Sequence, residues 1–340
     1  MHILLANENR GRGGAERFTL SLGQRLQSAG ARVSLACRAD SWLASQGLET
    51  VFLPFRGEFD LLSAWRARTI GVDVVHCQAT RDLALFGGLG RGRARLIKSE
   101  HSFLDSPGSA WLRRCYRSCQ AVVPVSLALR AQMHEMLKFP LPYQVIYNAM
   151  DLPPLDLAPP ERMRGQVWLG YLGGLLPSKK VSDVLTACAP SLRANPELRL
   201  LLAGEGPEAD NLRILASQLE VSDQVWMPGH VEDPLPYLAG LRVLVQSSPR
   251  ETFSLVAMEA MSLAVPVVGY AGSGLSEVVE DGQTGRLVTE GGPESLAVAV
   301  ADYLHNEELQ RQHGQAGRQR VARHFSWEAI LPQWQKLYQG

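Results

Sequence analysis

The sequence lacks the features that would place it across a membrane, in an oxidising compartment or around a metal ion. No stretch of the 340 residues approaches the roughly 18 consecutive apolar residues of a transmembrane helix. The five cysteines are odd in number and none forms a C-x2-C pair, so neither a disulfide framework nor a metal site is expected. The first residues lack the charged segment of a secretory signal and begin directly as a strand. We therefore expect a cytoplasmic protein with reduced thiols.

No excess charge of one sign is present, because 34 Lys and Arg balance 34 Asp and Glu. The halves differ, however: residues 1–150 hold 19 basic against 11 acidic side chains, and residues 151–340 hold 15 against 23. The first half also has an arginine-rich segment at 91–95 and a probable helix at 111–117 in which arginine and aromatic residues interleave. A basic first half suits an anionic partner, such as a membrane surface or a phosphorylated glycolipid. Nucleic acid is the rival partner, but the pI near 7.1 and the lack of a nucleic-acid motif argue against it.

Apolar strand patterns alternate with helical ones along the whole chain, which predicts parallel sheets covered on both faces. In the first half we predict strands at 2–7, 33–37, 50–53, 72–77, 96–100, 121–125 and 143–146. A proline-rich linker at 152–160 interrupts the pattern. The second half then has predicted strands at 167–173, 198–203, 224–227, 243–247, 266–270 and 284–288. The sequence thus predicts two doubly wound α/β domains, at about 1–150 and 161–324.

Candidate site residues cluster where predicted strands end, since ligands of open parallel sheets bind at that edge. Gly13 and Gly14 lie between the first strand and first helix, and His101 follows the strand at 96–100. Glu251 and Glu259 flank a turn that opens a helix, whose first N–H groups suit a diphosphate. Taken alone, each glutamate could be a solvated surface charge and the histidine a structural one. The surrounding residues decide between these interpretations.

Those residues resemble a known family, the GT4-type retaining glycosyltransferases. Glu251 and Glu259 have its E-x7-E spacing, and Glu251-Thr252-Phe253-Ser254-Leu255 is similar to its E-G-F-G-L turn. Further similar segments are Gly13-Gly14-Ala15-Glu16 (G-G-x-E), Gly173-Gly174-Leu175-Leu176-Pro177-Ser178-Lys179 (G-R-L-x-x-x-K), Gly204-Glu205-Gly206-Pro207 (G-x-G-P) and Ala264-Val265-Pro266-Val267-Val268 (G-x-P-V-V).

The resemblance implies the GT-B fold, two facing Rossmann-like domains with a C-terminal crossover helix at about 325–340 that packs back on the first domain. It implies transfer of a sugar from a nucleotide diphosphate-sugar, with retention, without a metal and without a cofactor. The first domain would bind the acceptor and the second the donor. The implied catalytic residues are His101, Lys179 and Glu251. The implied donor-binding residues are Gly173, Gly204, Gly206, Phe253, Ser254, Leu255 and Glu259, and the implied acceptor and phosphate loop is Gly13 and Gly14.

One departure from the family pattern concerns charge at the diphosphate. Gly174 stands where the family has arginine, so Arg250, Lys180 or a residue from the first domain would have to supply the missing cation. A UDP-sugar is the favoured donor, although the base has no side-chain signature in the sequence. The expected acceptor is a lipid-linked or lipopolysaccharide-type glycan at the inner face of a bacterial membrane. The alternatives are a non-catalytic sugar-nucleotide-binding protein, a sugar-nucleotide epimerase and, less in keeping with the N-terminus, a two-lobed solute-binding protein.

Overall fold

A computed structural model describes residues 1–55, 60–90, 92–289 and 292–340 of the chain. The described residues form two compact units. Unit 1 comprises Met1–Ala149 and Trp327–Gly340, and unit 2 comprises Met150–Ser326. Arg91, in the basic segment noted above, lies outside the described residues.

Unit 1 is built on a parallel sheet of six strands, β1 to β6, in the order β3-β2-β1-β4-β5-β6. The strands are β1 His2–Asn7, β2 Arg32–Cys37, β3 Glu49–Phe52, β4 Val74–Cys77, β5 Arg95–Glu100 and β6 Ala121–Pro124. The helices between them are α1 Gly14–Ser28, α2 Leu61–Arg68, α3 Thr80–Leu85, α4 Ala110–Arg117 and α5 Leu127–Leu137. The chain order reverses between neighbours β1 and β4, and this creates a switch point at their carboxyl ends.

Unit 2 repeats this topology, with the order β12-β11-β10-β7-β8-β9. Its strands are β7 Val167–Leu172, β8 Leu198–Ala203, β9 Val225–Gly229, β10 Leu241–Gln246, β11 Val267–Tyr270 and β12 Gly285–Val288. Its helices are α6 Val181–Ala194, α7 Ala209–Gln218, α8 Leu235–Ala239, α9 Leu255–Ser262, α10 Leu275–Val278, α11 Gly292–His305 and α12 Glu307–His324. Its switch point lies between β7 and β10.

The cores follow directly from the sequence pattern. Strand β1 is apolar from Ile3 to Ala6 because both faces of the sheet are covered. On α1, Phe18, Leu22 and Leu26 recur at helical spacing and pack in the same core as Leu5. The prediction of two parallel α/β sheets is therefore confirmed, and all five cysteines are free and buried.

The predicted strand at 143–146 is wrong. Tyr143 makes only an isolated bridge to Val122, next to β6. Two backbone bonds form there, from Val122 to the carbonyl of Pro142 and from Gln144 to the carbonyl of Val122. Prolines at 140 and 142 have no N–H to extend the ladder, so the apolar residues that follow do not become a strand.

The last helix, α13, Trp327–Gln339, belongs to unit 1 although the chain reaches it from unit 2. Its inward face carries Trp327, Ile330, Trp334 and Tyr338, all buried in the same core as α1 and β1. Tyr338 also bonds to His76 on β4, with 2.7 Å between Oη and Nδ1. Among the described helices, none combines the length and apolar character that a membrane crossing requires.

Candidate functional site

A cavity of about 340 Å³ lies in unit 2 where β7 and β8 end. We call it the sheet-edge pocket. Its lining residues are Leu172, Gly173, Gly174, Ala203, Gly204, Glu205, His230, Val231, Pro234, Val256 and Glu259. Three residues predicted to bind the donor, Gly173, Gly204 and Glu259, are therefore part of one pocket. Its position at the carboxyl edge of the sheet is the one at which doubly wound folds bind ligands.

Gly204 shapes this pocket because the chain after β8 runs against the chain after β7. Its φ is +146°, and a Cβ at this position would lie 1.8 Å from the carbonyl oxygen of Gly173. No larger residue fits without separating the two loops. Gly206 has a similar role outside the pocket lining, since its Cβ would lie 2.2 Å from the carbonyl oxygen of Leu175. Both glycines thus permit close contact between the loops that follow β7 and β8.

Lys179 and Glu251 form an ion pair, with 2.7 Å between Nζ and Oε1. Both are only partly exposed, at 29% and 12% of the side chain. The surrounding backbone fixes the pair. The Ser247 hydroxyl donates to the carbonyl of Lys179, and the N–H of Glu251 donates to the Ser273 hydroxyl, each at 2.8 Å. The pair joins the loops that follow β7 and β10, and the bond to Ser273 adds the loop that follows β11.

Tyr171 lies within the electrostatic reach of this pair. Burial raises the pKa of its phenol, and the negative charge of Glu251 raises it further. Its O–H donates to the carbonyl of Gly174 at 3.0 Å, which holds the loop that lines the pocket.

The turn from Glu251 leads into α9 as predicted from the sequence. Phe253 is buried and packs edge to face on Phe325, with 5.4 Å between ring centroids. Ser254 precedes the first helical residue, Leu255, with a φ of +77°, a left-handed conformation that is unusual for a residue other than glycine. Glu259 lies one turn into α9 and reaches the pocket.

Position 174 is glycine where the family has arginine. Among the described residues that line the pocket, none is Lys or Arg. Gly174 has room, because the atoms nearest to a Cβ there belong to Leu176, at an ordinary 3.5 Å. Lys180 and Arg250 are both exposed, and neither lines the pocket. Lys179 is therefore the partly buried cation beside this region.

In unit 1, His101 follows β5 and is half-buried. Its Nε2 lies 2.8 Å from Oε1 of Gln78, and its ring lies 5.5 Å from that of Phe18. Desolvation and then the positive charge of Lys98 lower the pKa of His101 to about 3. The imidazole is therefore neutral at physiological pH, and it can contact a ligand through hydrogen bonds and not through charge.

The Gly13-Gly14 loop is held by Glu16, a residue of the same motif. Glu16 is buried, and its Oε2 accepts the N–H of Gly13 at 2.8 Å while its Oε1 accepts from Asn9 Nδ2 at 2.7 Å. The carboxylate of the motif thus caps the start of α1 and fixes the loop. Gly14 is the first residue of α1, and Gly13 is exposed.

Three polar residues behind His101 were missed by reasoning from the sequence, namely Gln78, Asp82 and Lys98. Burial raises the pKa of Asp82 to about 7. Its Oδ2 accepts the N–H of Ala79 at 2.7 Å, which caps α3. Lys98 is fully buried, with its Nζ 3.0 Å from Glu100 Oε1. The available signal was the position of Gln78 directly after β4, at the switch point, and of Asp82 in the first turn of α3 that follows. Within the described ranges, no cluster of three His, Cys, Asp or Glu residues could hold a metal.

Comparison with known proteins gives two family matches. Residues 160–320 match the family described as Glycosyl transferases group 1, and residues 12–153 match Glycosyltransferase Family 4. The chain is 30% identical over 224 residues to N-acetyl-alpha-D-glucosaminyl L-malate synthase of Bacillus anthracis, covering 64% of this chain and 58% of that protein. It is 33% identical over 142 residues to the lipopolysaccharide core biosynthesis glycosyltransferase LpsE of Rhizobium meliloti, covering 42% of each. The matches thus span less than two thirds of these relatives.

Among solved structures, the chain is similar to HepE of Anabaena, solved in complex with UDP and glucose. The TM-score is 0.82 with 19% identity, over 99% of both chains. At this identity the similarity concerns the fold, and it confirms the predicted GT-B class.

Proposed function

Because this chain belongs to the group 1, family 4 glycosyltransferases, we propose that it transfers a sugar from a nucleotide diphosphate-sugar to an acceptor hydroxyl, with retention and without a metal. The observation that carries this proposal is the Lys179–Glu251 pair beside the sheet-edge pocket. A cation and a carboxylate side by side supply the two kinds of partner that a sugar diphosphate needs. The diphosphate needs positive charge, and the sugar hydroxyls need acceptors.

The departing nucleotide diphosphate develops negative charge as the glycosidic bond breaks. In the proposed mechanism, Lys179 Nζ and the N–H groups at the start of α9, in Phe253-Ser254-Leu255, stabilise that charge. Lys179 exchanges its bond to Glu251 for the phosphate oxygens. Glu251 then accepts hydrogen bonds from hydroxyls of the donor sugar, and Glu259 accepts from the ribose.

On the acceptor side, neutral His101 hydrogen-bonds the transferred sugar without adding a positive charge that would compete with Lys179. The leaving phosphate takes the proton of the acceptor hydroxyl, so no residue is assigned as a covalent nucleophile. Gly13 and Gly14 provide a fixed backbone loop for the acceptor and the phosphates.

A UDP-sugar is the proposed donor, supported by the UDP bound in the similar HepE structure. The proposed acceptor is a lipid-linked or lipopolysaccharide-type glycan, supported by the similarity to LpsE. Helix α2 adds support, because Leu62 and Trp65 are 45% and 66% exposed next to Arg66. Exposed aromatic and apolar residues beside arginine suit a membrane interface. We propose a cytoplasmic protein that binds peripherally at the inner face of the membrane.

A second candidate, a non-catalytic sugar-nucleotide-binding protein, is favoured by one observation. Gly174 removes a cation that would otherwise reach the diphosphate, and no Lys or Arg replaces it among the described residues of the pocket lining. Such a protein would bind the donor but would never release the nucleotide diphosphate.

The test is release of nucleotide diphosphate from a panel of UDP-, GDP- and ADP-sugars, with and without a membrane-lipid extract. Release that the extract stimulates would support the transferase and identify its donor. Binding without release would favour the non-catalytic protein. Turnover of the donor to a different sugar nucleotide, with no acceptor present, would favour an epimerase.

A further inference from the structure

Gln78 connects the sheet of unit 1 to the proposed reacting edge. It follows β4, is 4% exposed, and is held at several points. Its N–H donates to Asp82 Oδ2 at 3.2 Å, and its carbonyl accepts from Lys98 Nζ at 3.3 Å. Its side chain spans the gap between His76 and His101. A side chain fixed at both ends can fix the orientation of a neighbour.

One end of the Gln78 amide meets the ring of His76. Its Nε2 lies 3.2 Å from each of the two His76 ring nitrogens. Those nitrogens already bond to Tyr338 Oη and Ser99 Oγ, each at 2.7 Å. Burial, and after it the positive charge of Lys98, lowers the pKa of His76 well below its usual value, so the ring is neutral. An N–H is attracted to the electron-rich face of such a ring, whereas a carbonyl oxygen would be repelled.

The other end of the amide, Oε1, therefore faces His101 Nε2 at 2.8 Å. An amide oxygen can only accept a hydrogen bond, so Nε2 of His101 must donate. A neutral imidazole carries one N–H, and the remaining nitrogen, Nδ1, keeps its lone pair. The contact thus determines which nitrogen of His101 is open to a ligand.

We propose that Gln78 is a positioning residue that fixes His101 in the Nε2–H tautomer and leaves Nδ1 to accept a hydrogen bond from a substrate hydroxyl. The substrate part of this inference rests on the proposed glycosyl transfer, whereas the tautomer does not. Helix α13 takes part through Tyr338, which holds His76 against the amide. A glutamine at this position provides the acceptor without a negative charge that would favour the imidazolium.

The first test is spectroscopic and needs no substrate. Long-range ¹H–¹⁵N correlation of histidine-labelled protein, with His101 assigned through a His101→Gln variant, reports the protonated nitrogen. We expect the Nε2–H form in the wild type and in Gln78→Glu, and a mixture of tautomers in Gln78→Leu. A wild-type signal with Nδ1 protonated, or one unchanged in Gln78→Leu, would overturn the proposal.

The second test measures transfer. Losing one hydrogen bond of about 1.4 kcal/mol corresponds to a tenfold loss, so Gln78→Leu should lower kcat about tenfold and leave the KM for donor within about twofold. Gln78→Glu should restore kcat at high pH. Its carboxylate raises the pKa of His101, so activity should fall with decreasing pH in a range where the wild type is constant. Wild-type kcat in Gln78→Leu would contradict the positioning role.

The matched control is Gln120→Leu. Gln120 Oε1 accepts the N–H of Leu96 at 2.6 Å, at the opposite end of β5 from His101. This variant should keep kcat, the tautomer and the pH profile, so the loss of any glutamine hydrogen bond at β5 is separated from loss of positioning. If the wild type shows no transfer with any donor, the proposed function fails, and the spectra still decide whether Gln78 sets the tautomer.

Discussion

Lys179 Nζ and Glu251 Oε1 lie 2.7 Å apart, although the two residues are 72 positions apart in the chain. The hydroxyls of Ser247 and Ser273 hold the backbone of Lys179 and of Glu251 in place. The two charges offset each other, and the loops that carry them follow β7 and β10, the two strands at the switch point of unit 2. In the proposed mechanism, a donor diphosphate therefore competes with Glu251 for Lys179. The roles of both residues in this exchange can be tested by substitution.

Lys179→Ala should lower the transfer rate roughly a hundredfold, because the leaving diphosphate loses its partly buried cation. Lys180→Ala is the matched control. It removes the same charge at the next position in the chain, where the side chain is exposed. UDP affinity, measured by calorimetry, should weaken in the first variant and stay within about twofold in the second. Wild-type transfer by both Lys179→Ala and Glu251→Ala would contradict the mechanism.

Gly174→Arg should tighten UDP binding and raise the rate of diphosphate release. Position 174 has room for a side chain, because the nearest atoms lie 3.5 Å from the point that a Cβ would occupy, and a guanidinium there would add the second cation. Titration of UDP into the variant measures the gain. Uridine, which has no phosphate, should bind both proteins equally, and a gain for uridine would show that the arginine acts elsewhere.

Gly204→Ala should destabilise the protein by more than about 2 kcal/mol and abolish UDP binding, because the added Cβ would lie 1.8 Å from the Gly173 carbonyl oxygen. The same change at a neighbouring pocket position, Gly174→Ala, meets no such contact and should be close to neutral. Urea unfolding of both variants gives the comparison. Equal stability of the two would mean that the β7 and β8 loops separate easily.

Asp82 should make the stability of the protein fall as pH rises from about 4 to about 7. Burial raises the pKa of this carboxyl from 3.8 to about 7, so the folded state binds a proton that the unfolded state has released. The stability that this proton provides is complete below the unfolded pKa, and it is lost as pH rises through the folded pKa, by about 4 kcal/mol at most. Urea unfolding at pH 5 and 7.5 should show this loss, and Asp82→Asn should remove much of it. The Asp210→Asn variant, changed at an exposed position, should show the same loss of stability with rising pH as the wild type.

Trp65→Ser and Leu62→Ser should reduce binding to anionic vesicles, measured by co-sedimentation at low salt. Both side chains are exposed on α2 in the basic half, and each contributes apolar area to an interface. Val298→Ser, an equally exposed apolar residue of unit 2, should bind as the wild type does. Binding should weaken as salt increases, and a wild type that ignores anionic vesicles at low salt would exclude the membrane surface as a partner.

The sequence predicts those elements whose own residues show the expected pattern. Strand β1 is recognisable from its unbroken apolar run, α1 from the spacing of Phe18, Leu22 and Leu26, and the pocket glycines from the turns after β7 and β8. The contact between Gln78 and His101 has no such local signal, because it depends on β4 and β5 lying side by side in register. The raised pKa of Asp82 likewise reflects burial by distant segments. At 143–146 the apolar residues suggested a strand, and the neighbouring prolines prevented it.

The last helix has a consequence for how the protein is made. Unit 1 contains residues from both sides of unit 2 in the chain, and Trp334 and Tyr338 of α13 cover His76 and complete its core. During synthesis, residues 1–149 leave the ribosome well before these side chains exist, while most of unit 2 is still to be translated. The apolar face of the nascent first half therefore stays uncovered, and its core is complete only after α13 has been translated.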